Sequence, residues 1–127
     1  MGRKKGVASL TPLELELMKV LWRTGPASVQ HVREQLGSGL AYTTVQTMLN
    51  VLHRKGKVTR SLKDRSYTYR PSVEQQREVG ELLRDVVERA FGGSAEDLVL
   101  NLMQTRQLTP ERLERLASSL EKVDDER

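Results

Sequence analysis

Apolar side chains return every three or four residues along most of this chain, and the breaks in that rhythm divide it into elements. Leu13, Leu17, Met18, Leu21 and Trp22 fall on one face of a first helix. Its start is written in Thr11-Pro12-Leu13-Glu14: Thr11 can cap, Pro12 suits the first helical position, and Glu14 can complete a capping box. Gly25-Pro26 ends it, and Ser28 can cap a second, shorter helix with Val29, Val32 and Leu36 as its apolar side, closed by the "GSG" at 37–39. A third helix lies in "YTTVQTMLNVLHRKG" (42–56), where Val45, Met48, Leu49 and Leu52 keep the helical spacing and Gly56 takes the usual C-terminal position.

After Gly56 the period changes to two. Val58, Arg60 and Leu62 alternate with Thr59, Ser61 and Lys63, then Tyr67 and Tyr69 alternate with Ser66, Thr68 and Arg70 before Pro71. This predicts a hairpin with "KDR" (63–65) at its tip. Asp-Arg is poor chemistry for a two-residue turn, so a looser loop is expected. From Ser72 the chain reads helical again. One long helix spans about 73–91 to Gly92-Gly93, a second starts at Ser94, and a third starts at Thr109-Pro110. The fold class expected is mainly α with a small β-hairpin wing: a winged helix-turn-helix followed by a helical region. The domain boundaries expected are a loose basic arm at 1–9, the winged helix at 10–71 and the helical part at 72–127.

The face of the third helix opposite its apolar side is unusual. It carries Thr43, Thr44, Gln46, Thr47 and Asn50, short polar residues that form helices less well than Glu, Lys or Arg. Charge is held back until Arg54, Lys55 and Lys57. The charge balance explains who would receive such a face. The formal net charge is +4, but residues 1–71 carry 13 Lys/Arg against 4 Asp/Glu, a net of +9. Residues 72–127 carry 8 Lys/Arg against 13 Asp/Glu, a net of −5. A basic half of this size favours a polyanion, most simply double-stranded DNA. The major groove accepts an α-helix, Gln can bond adenine twice, and Thr offers both a hydroxyl and a methyl group to base edges. Thr43, Thr44, Gln46, Thr47 and Asn50 are therefore the candidate base readers, with Arg54, Lys55, Lys57, Arg60, Lys63 and Arg65 as candidate phosphate contacts.

The later helices are amphipathic, yet about 55 residues are too few to close a good core alone. A homodimer is the economical solution. Its candidate interface residues are Leu82, Leu83, Val86, Val87, Phe91, Leu98, Leu102, Leu113, Leu116 and Leu120.

Three stretches also resemble one family: "LTPLELELMKVLW" (10–22), "AYTTVQTMLNVLHRKGKV" (41–58) and "DRSYTYRP" (64–71) are similar to the BlaI/MecI-type penicillinase repressors. The likeness covers nearly the whole chain after residue 9, and "TTVQTMLNVLHRKG" is its most specific part. It implies a dimeric transcriptional repressor, with an N-terminal winged helix on inverted-repeat operators and a C-terminal helical part that dimerises. By that likeness Thr44, Gln46 and Thr47 fall on the recognition helix and Arg65 in the wing, while Thr43 stands where some relatives have Lys. The resemblance also implies an off-switch. In antibiotic-responsive members a membrane sensor with a metalloprotease domain triggers cleavage of an Asn-Phe bond in the dimerisation part. The corresponding bond here is Asn101-Leu102, with Leu in place of Phe. The plainer reading is that Leu98, Val99, Leu102 and Met103 only line an interface.

Other functions find little to stand on. Cysteine is absent, which removes disulfides, thiol catalysis and the cysteine clusters of copper-responsive relatives. No cofactor is implied. No apolar run approaches 18 residues and no signal-peptide core is present, so the chain reads as a cytoplasmic protein without membrane insertion. His31 and His53 lie on different helices and make no ligand pair, and no Ser/His/Asp set or phosphate loop points to an enzyme. Trp22, Met18, Met48 and Met103 read as core, and Tyr67 and Tyr69 as cross-strand packing. Two alternatives to the repressor remain: a winged-helix regulator that senses a small molecule in its C-terminal half, and a winged-helix module that binds protein rather than DNA.

Overall fold

The computed structural model describes residues 10–125, so the expected basic arm at 1–9 lies outside the described residues. The elements run α1 (Pro12–Thr24), β1 (Ala27–Ser28), α2 (Val29–Leu36), α3 (Tyr42–Arg54), β2 (Val58–Lys63), β3 (Ser66–Pro71), α4 (Gln75–Ala90), α5 (Ala95–Gln104) and α6 (Pro110–Asp125). This is the winged helix followed by helices that the periodicity predicts. The described residues divide into two compact units, the first ending at Leu82 and the second beginning at Leu83.

The caps form as their residue types dictate. Thr11 N–H donates to Glu14 Oε1 (2.9 Å) and Glu14 N–H to Thr11 Oγ1 (3.2 Å), a complete capping box. Ser28 Oγ accepts from His31 N–H, and Ser94 Oγ from Asp97 N–H. At the end of α3, Gly56 takes a φ of +80°, a conformation open to glycine. Lys57 N–H then returns to Leu52 C=O and Gly56 N–H to His53 C=O, the paired bonds of a Schellman ending. That reversal turns the chain from the end of the helix through Lys57 to the start of β2 at Val58.

Inside the first unit, Leu17, Met18, Leu21, Val32, Val45, Leu49 and Leu52 are fully buried, with Val58 and Tyr69 of the sheet closing the core. Each such aliphatic side chain stabilises the fold by about 1.5–3 kcal/mol relative to exposure. Leu13 departs from the expected pattern and faces outward, while Trp22, Leu36 and Met48 pack half-buried against the core, Trp22 with its Nε1–H donating to Val73 C=O at 3.0 Å.

The sheet has the order β1-β3-β2, all antiparallel. The two-residue strand β1 pairs Ala27 with Tyr69 and Ser28 with Thr68, an addition too short for any alternation to announce it. The hairpin turn also differs from expectation. Lys63 pairs directly with Ser66, so the turn is the tight Asp64-Arg65 pair, both at positive φ (53° and 69°). Two successive left-handed residues match the right-handed twist of the strands, as in a type I′ turn. A six-rung ladder from Val58↔Pro71 to Lys63↔Ser66 holds two non-glycine residues where glycine would be at ease.

The expected boundary at Pro71 also moves, since the first unit reaches into α4. Ser72 N–H donates to Lys57 C=O, Glu78 is buried against Lys57, and Leu82 packs on the core. Leu82 is thus occupied within its own unit.

The second unit reads differently. From Leu83 to Val123 no residue is buried. Leu83, Val86, Leu100, Leu116, Leu120 and Val123 are each about half exposed or more, while Val87, Phe91, Leu98, Leu102 and Leu113 are half-buried.

Candidate nucleic-acid interface

Helix α3 presents two faces with opposite chemistry. Val45, Leu49 and Leu52 are at 0% exposure, and on the other side Thr43, Thr44, Gln46 and Thr47 are all exposed. The helix is anchored by the first set, so the second stands outward on a fixed rod. Beside it the wing and the start of α2 enclose a groove of about 370 Å³, lined by Ser28, Val29 and Gln30, by Tyr42 and Gln46, and by Arg65, Ser66, Tyr67 and Tyr69. Gln46 and Arg65, expected to read and to clamp respectively, therefore meet across one groove. Tyr42, Gln30 and Tyr67 belong to this surface and were not among the expected contacts. For Tyr42 a signal existed: it opens the same polar face at the first turn of α3.

The expected phosphate contacts separate into two groups. Arg54, Lys63 and Arg65 are exposed and Arg60 is half-buried. Lys57 is engaged elsewhere, which corrects its expected role, and Lys55 is drawn into an ion pair while remaining partly exposed. Lys55 Nζ lies 2.8 and 2.9 Å from the two carboxylate oxygens of Glu14. Lys57 is only 7% exposed, with its Nζ 2.8 Å from Glu78 Oε1, and Glu78 is 4% exposed. The Lys57 ammonium cannot reach a phosphate without abandoning a buried carboxylate, whereas Lys55 stays partly exposed and keeps a third N–H beyond the two given to Glu14.

Glu14 consequently serves two elements, capping α1 and pairing with the end of α3. Burial pushes its carboxyl up, but the Lys55 ammonium and the Thr11 N–H and hydroxyl together outweigh this and hold it below the ordinary carboxylate value. Asn50, the last expected base reader, is also engaged. Its Oδ1 accepts from Tyr69 Oη at 2.7 Å and from Arg60 Nη1 at 2.8 Å. The Arg60 guanidinium in turn lies 4.3 Å above the Tyr67 ring. Among the described residues no group of three or more His, Cys, Asp or Glu is placed to hold a metal ion, and no helix is long and apolar enough to cross a membrane.

The chain is similar to known proteins. The chain is 27% identical over 119 residues to the penicillinase repressor of Bacillus licheniformis, covering 92% of this chain and 93% of that one. It superposes on the solution structure of the DNA-binding domain of the repressor BlaI with a TM-score of 0.50 and 30% identity, over 57% of this chain and 90% of that one. The YusO protein of Bacillus subtilis matches at a TM-score of 0.55 with 18% identity, over 91% of this chain and 75% of that one, a likeness of fold alone. The model of the penicillinase repressor family matches residues 10–122, and the chain belongs to that family.

Proposed function

We propose that this protein is a cytoplasmic transcriptional repressor that binds a pseudo-palindromic double-stranded DNA operator as a homodimer. One observation carries the reading: the exposed Thr43, Thr44, Gln46 and Thr47 stand opposite a fully buried anchor on α3, beside a groove closed by Arg65 of the wing. Short hydrogen-bonding side chains on a rigid helix suit base edges in the major groove. Arg54, Arg60, Lys63 and Arg65 flank them and suit phosphates, which position a protein without specifying sequence. The names of the relatives, a penicillinase repressor and the DNA-binding domain of a repressor, point the same way.

Homodimerisation is supported by the second unit. A run of 41 residues, Leu83 to Val123, with no buried side chain and six large apolar residues exposed, lacks a core of its own. A second copy would cover them and place two α3 helices one or more turns of DNA apart. The finer off-switch follows from the same logic. Cleavage at Asn101-Leu102 by a membrane-linked sensor protease would sever the dimerising helices and remove the avidity of two linked half-sites. That bond lies within α5, where Asn101 C=O accepts from Thr105 N–H at 2.9 Å, so a protease would have to unwind the end of the helix first.

The test is selection of bound sequences from random duplexes by the full-length protein, followed by titration of a selected and a random duplex at two salt concentrations. The selected site should be palindromic and bound at least ~10³-fold more tightly than random DNA. Equal affinity for both, or binding indifferent to salt, would overturn the reading.

A further inference from the structure

Asn50 stands on the exposed side of α3, four residues after Gln46, and its residue type suits adenine. Its surroundings give it another task. Bidentate recognition of adenine requires the amide oxygen as acceptor and the amide nitrogen as donor at once. Here both lone pairs of Oδ1 are taken, one by the Tyr69 hydroxyl and one by the Arg60 guanidinium. The orientation of the amide is not in question, because a guanidinium can only donate and must face the oxygen. Arg60 and Tyr69 are directly opposed on β2 and β3, so a single side-chain atom of the helix joins both strands of the wing at one rung. Tyr67, next but one along β3, supports the face of the same guanidinium at 4.3 Å. Arg60 is thus held at its edge by Asn50 and on its face by Tyr67, with most of its five donors still uncommitted.

We propose that Asn50 is a positioning residue that acts through Arg60: it sets the wing against α3 and delivers a pre-oriented guanidinium to the DNA backbone. This rests on the DNA-binding reading above. It makes Arg60 different in kind from Lys63 and Arg65, which are exposed and free to search for a phosphate. Ordering a long cation before binding removes the entropy it would otherwise lose on contact.

The test is a double-mutant cycle on the full-length protein, with Asn50→Ala, Arg60→Ala and the pair titrated on a selected and a random duplex across salt concentrations. Asn50→Ala removes no charge, yet it should weaken both duplexes by roughly 10-fold and lower the salt slope by up to about one unit, as loss of one phosphate contact does. In the Arg60→Ala background it should change affinity by less than about 2-fold. Altered preference at one base pair with an unchanged salt slope would make Asn50 a reader and overturn the proposal, as would additive effects. A measurement on the unmodified protein without DNA stands beside these, should a variant fail to fold. By side-chain NMR the Arg60 Nε–H should be rigid while that of Arg65 is mobile, and equal mobility would refute the restraint. Failure of the unmodified protein to bind any duplex would instead strike the DNA-binding reading, so the two failures are distinct.

Discussion

Replacing Lys57 by Ala separates two roles for one lysine. A lysine on a solvated wing that holds a phosphate would, when removed, leave stability within about 0.5 kcal/mol of the original and reduce the salt slope of DNA binding by about one unit. The structure predicts the reverse. Lys57 and Glu78 have side chains 8% and 5% exposed and a single close contact of 2.8 Å. Removing the ammonium leaves the Glu78 carboxylate buried without its partner, which costs about 3–5 kcal/mol. Against a total stability of about 5–15 kcal/mol, that is a large fraction. The assay is urea unfolding at one fixed protomer concentration, since a dimer's stability depends on it, paired with salt-dependent DNA titration of whatever remains folded. Lys57→Ala should lower the midpoint strongly and leave the salt slope unchanged. The double variant Lys57→Met with Glu78→Leu should recover most of the loss, because a well-packed apolar pair of similar volume replaces a buried ion pair at little cost. A stable Lys57→Ala protein with a salt slope reduced by one would refute the reasoning and return Lys57 to the DNA surface.

Three further outcomes are expected. Gln46→Ala should relax preference at one base pair by ~1–3 kcal/mol with little change on random DNA, and an equal loss on both would remove it from the readers. Glu14 is held below the ordinary carboxylate value in the fold, so its contribution is complete above that value and disappears as pH falls through the depressed one. Glu14→Gln should therefore destabilise by about 1–3 kcal/mol near neutrality and progressively less in acid, as followed by unfolding across pH, and a constant difference would contradict the assignment. Leu120 is 68% exposed in the single chain, so Leu120→Asp should barely affect the first unit's unfolding. In sedimentation it should nevertheless shift the protein towards monomer and weaken operator binding, and an unchanged dimer would count against α6 as interface.

What was legible in the sequence was whatever depends on near neighbours. Helical spacing located the six helices, because residues three and four apart share a face whatever the rest of the chain does. The Thr11 and Glu14 capping box was readable for the same reason, as was the period of two in the wing. The polar face of α3 could be read as a surface meant for contact, since no local rule favours Thr and Gln there over Glu and Lys.

Tertiary structure decided everything that rests on distant partners. Lys55 meets Glu14 across 41 positions and Lys57 meets Glu78 across 21, so a cluster of basic residues that reads as one surface is divided between a buried pair, a partly exposed pair and the exposed Arg54. Asn50 reads as a base contact until Arg60 and Tyr69 are folded onto it. The tight Asp64-Arg65 turn exists because the paired strands impose it against local preference. Periodicity determines which way a side chain points from its own helix or strand. Which partner waits there, and whether a charge is spent on the protein or left for DNA, is determined only when elements far apart in the chain are brought together.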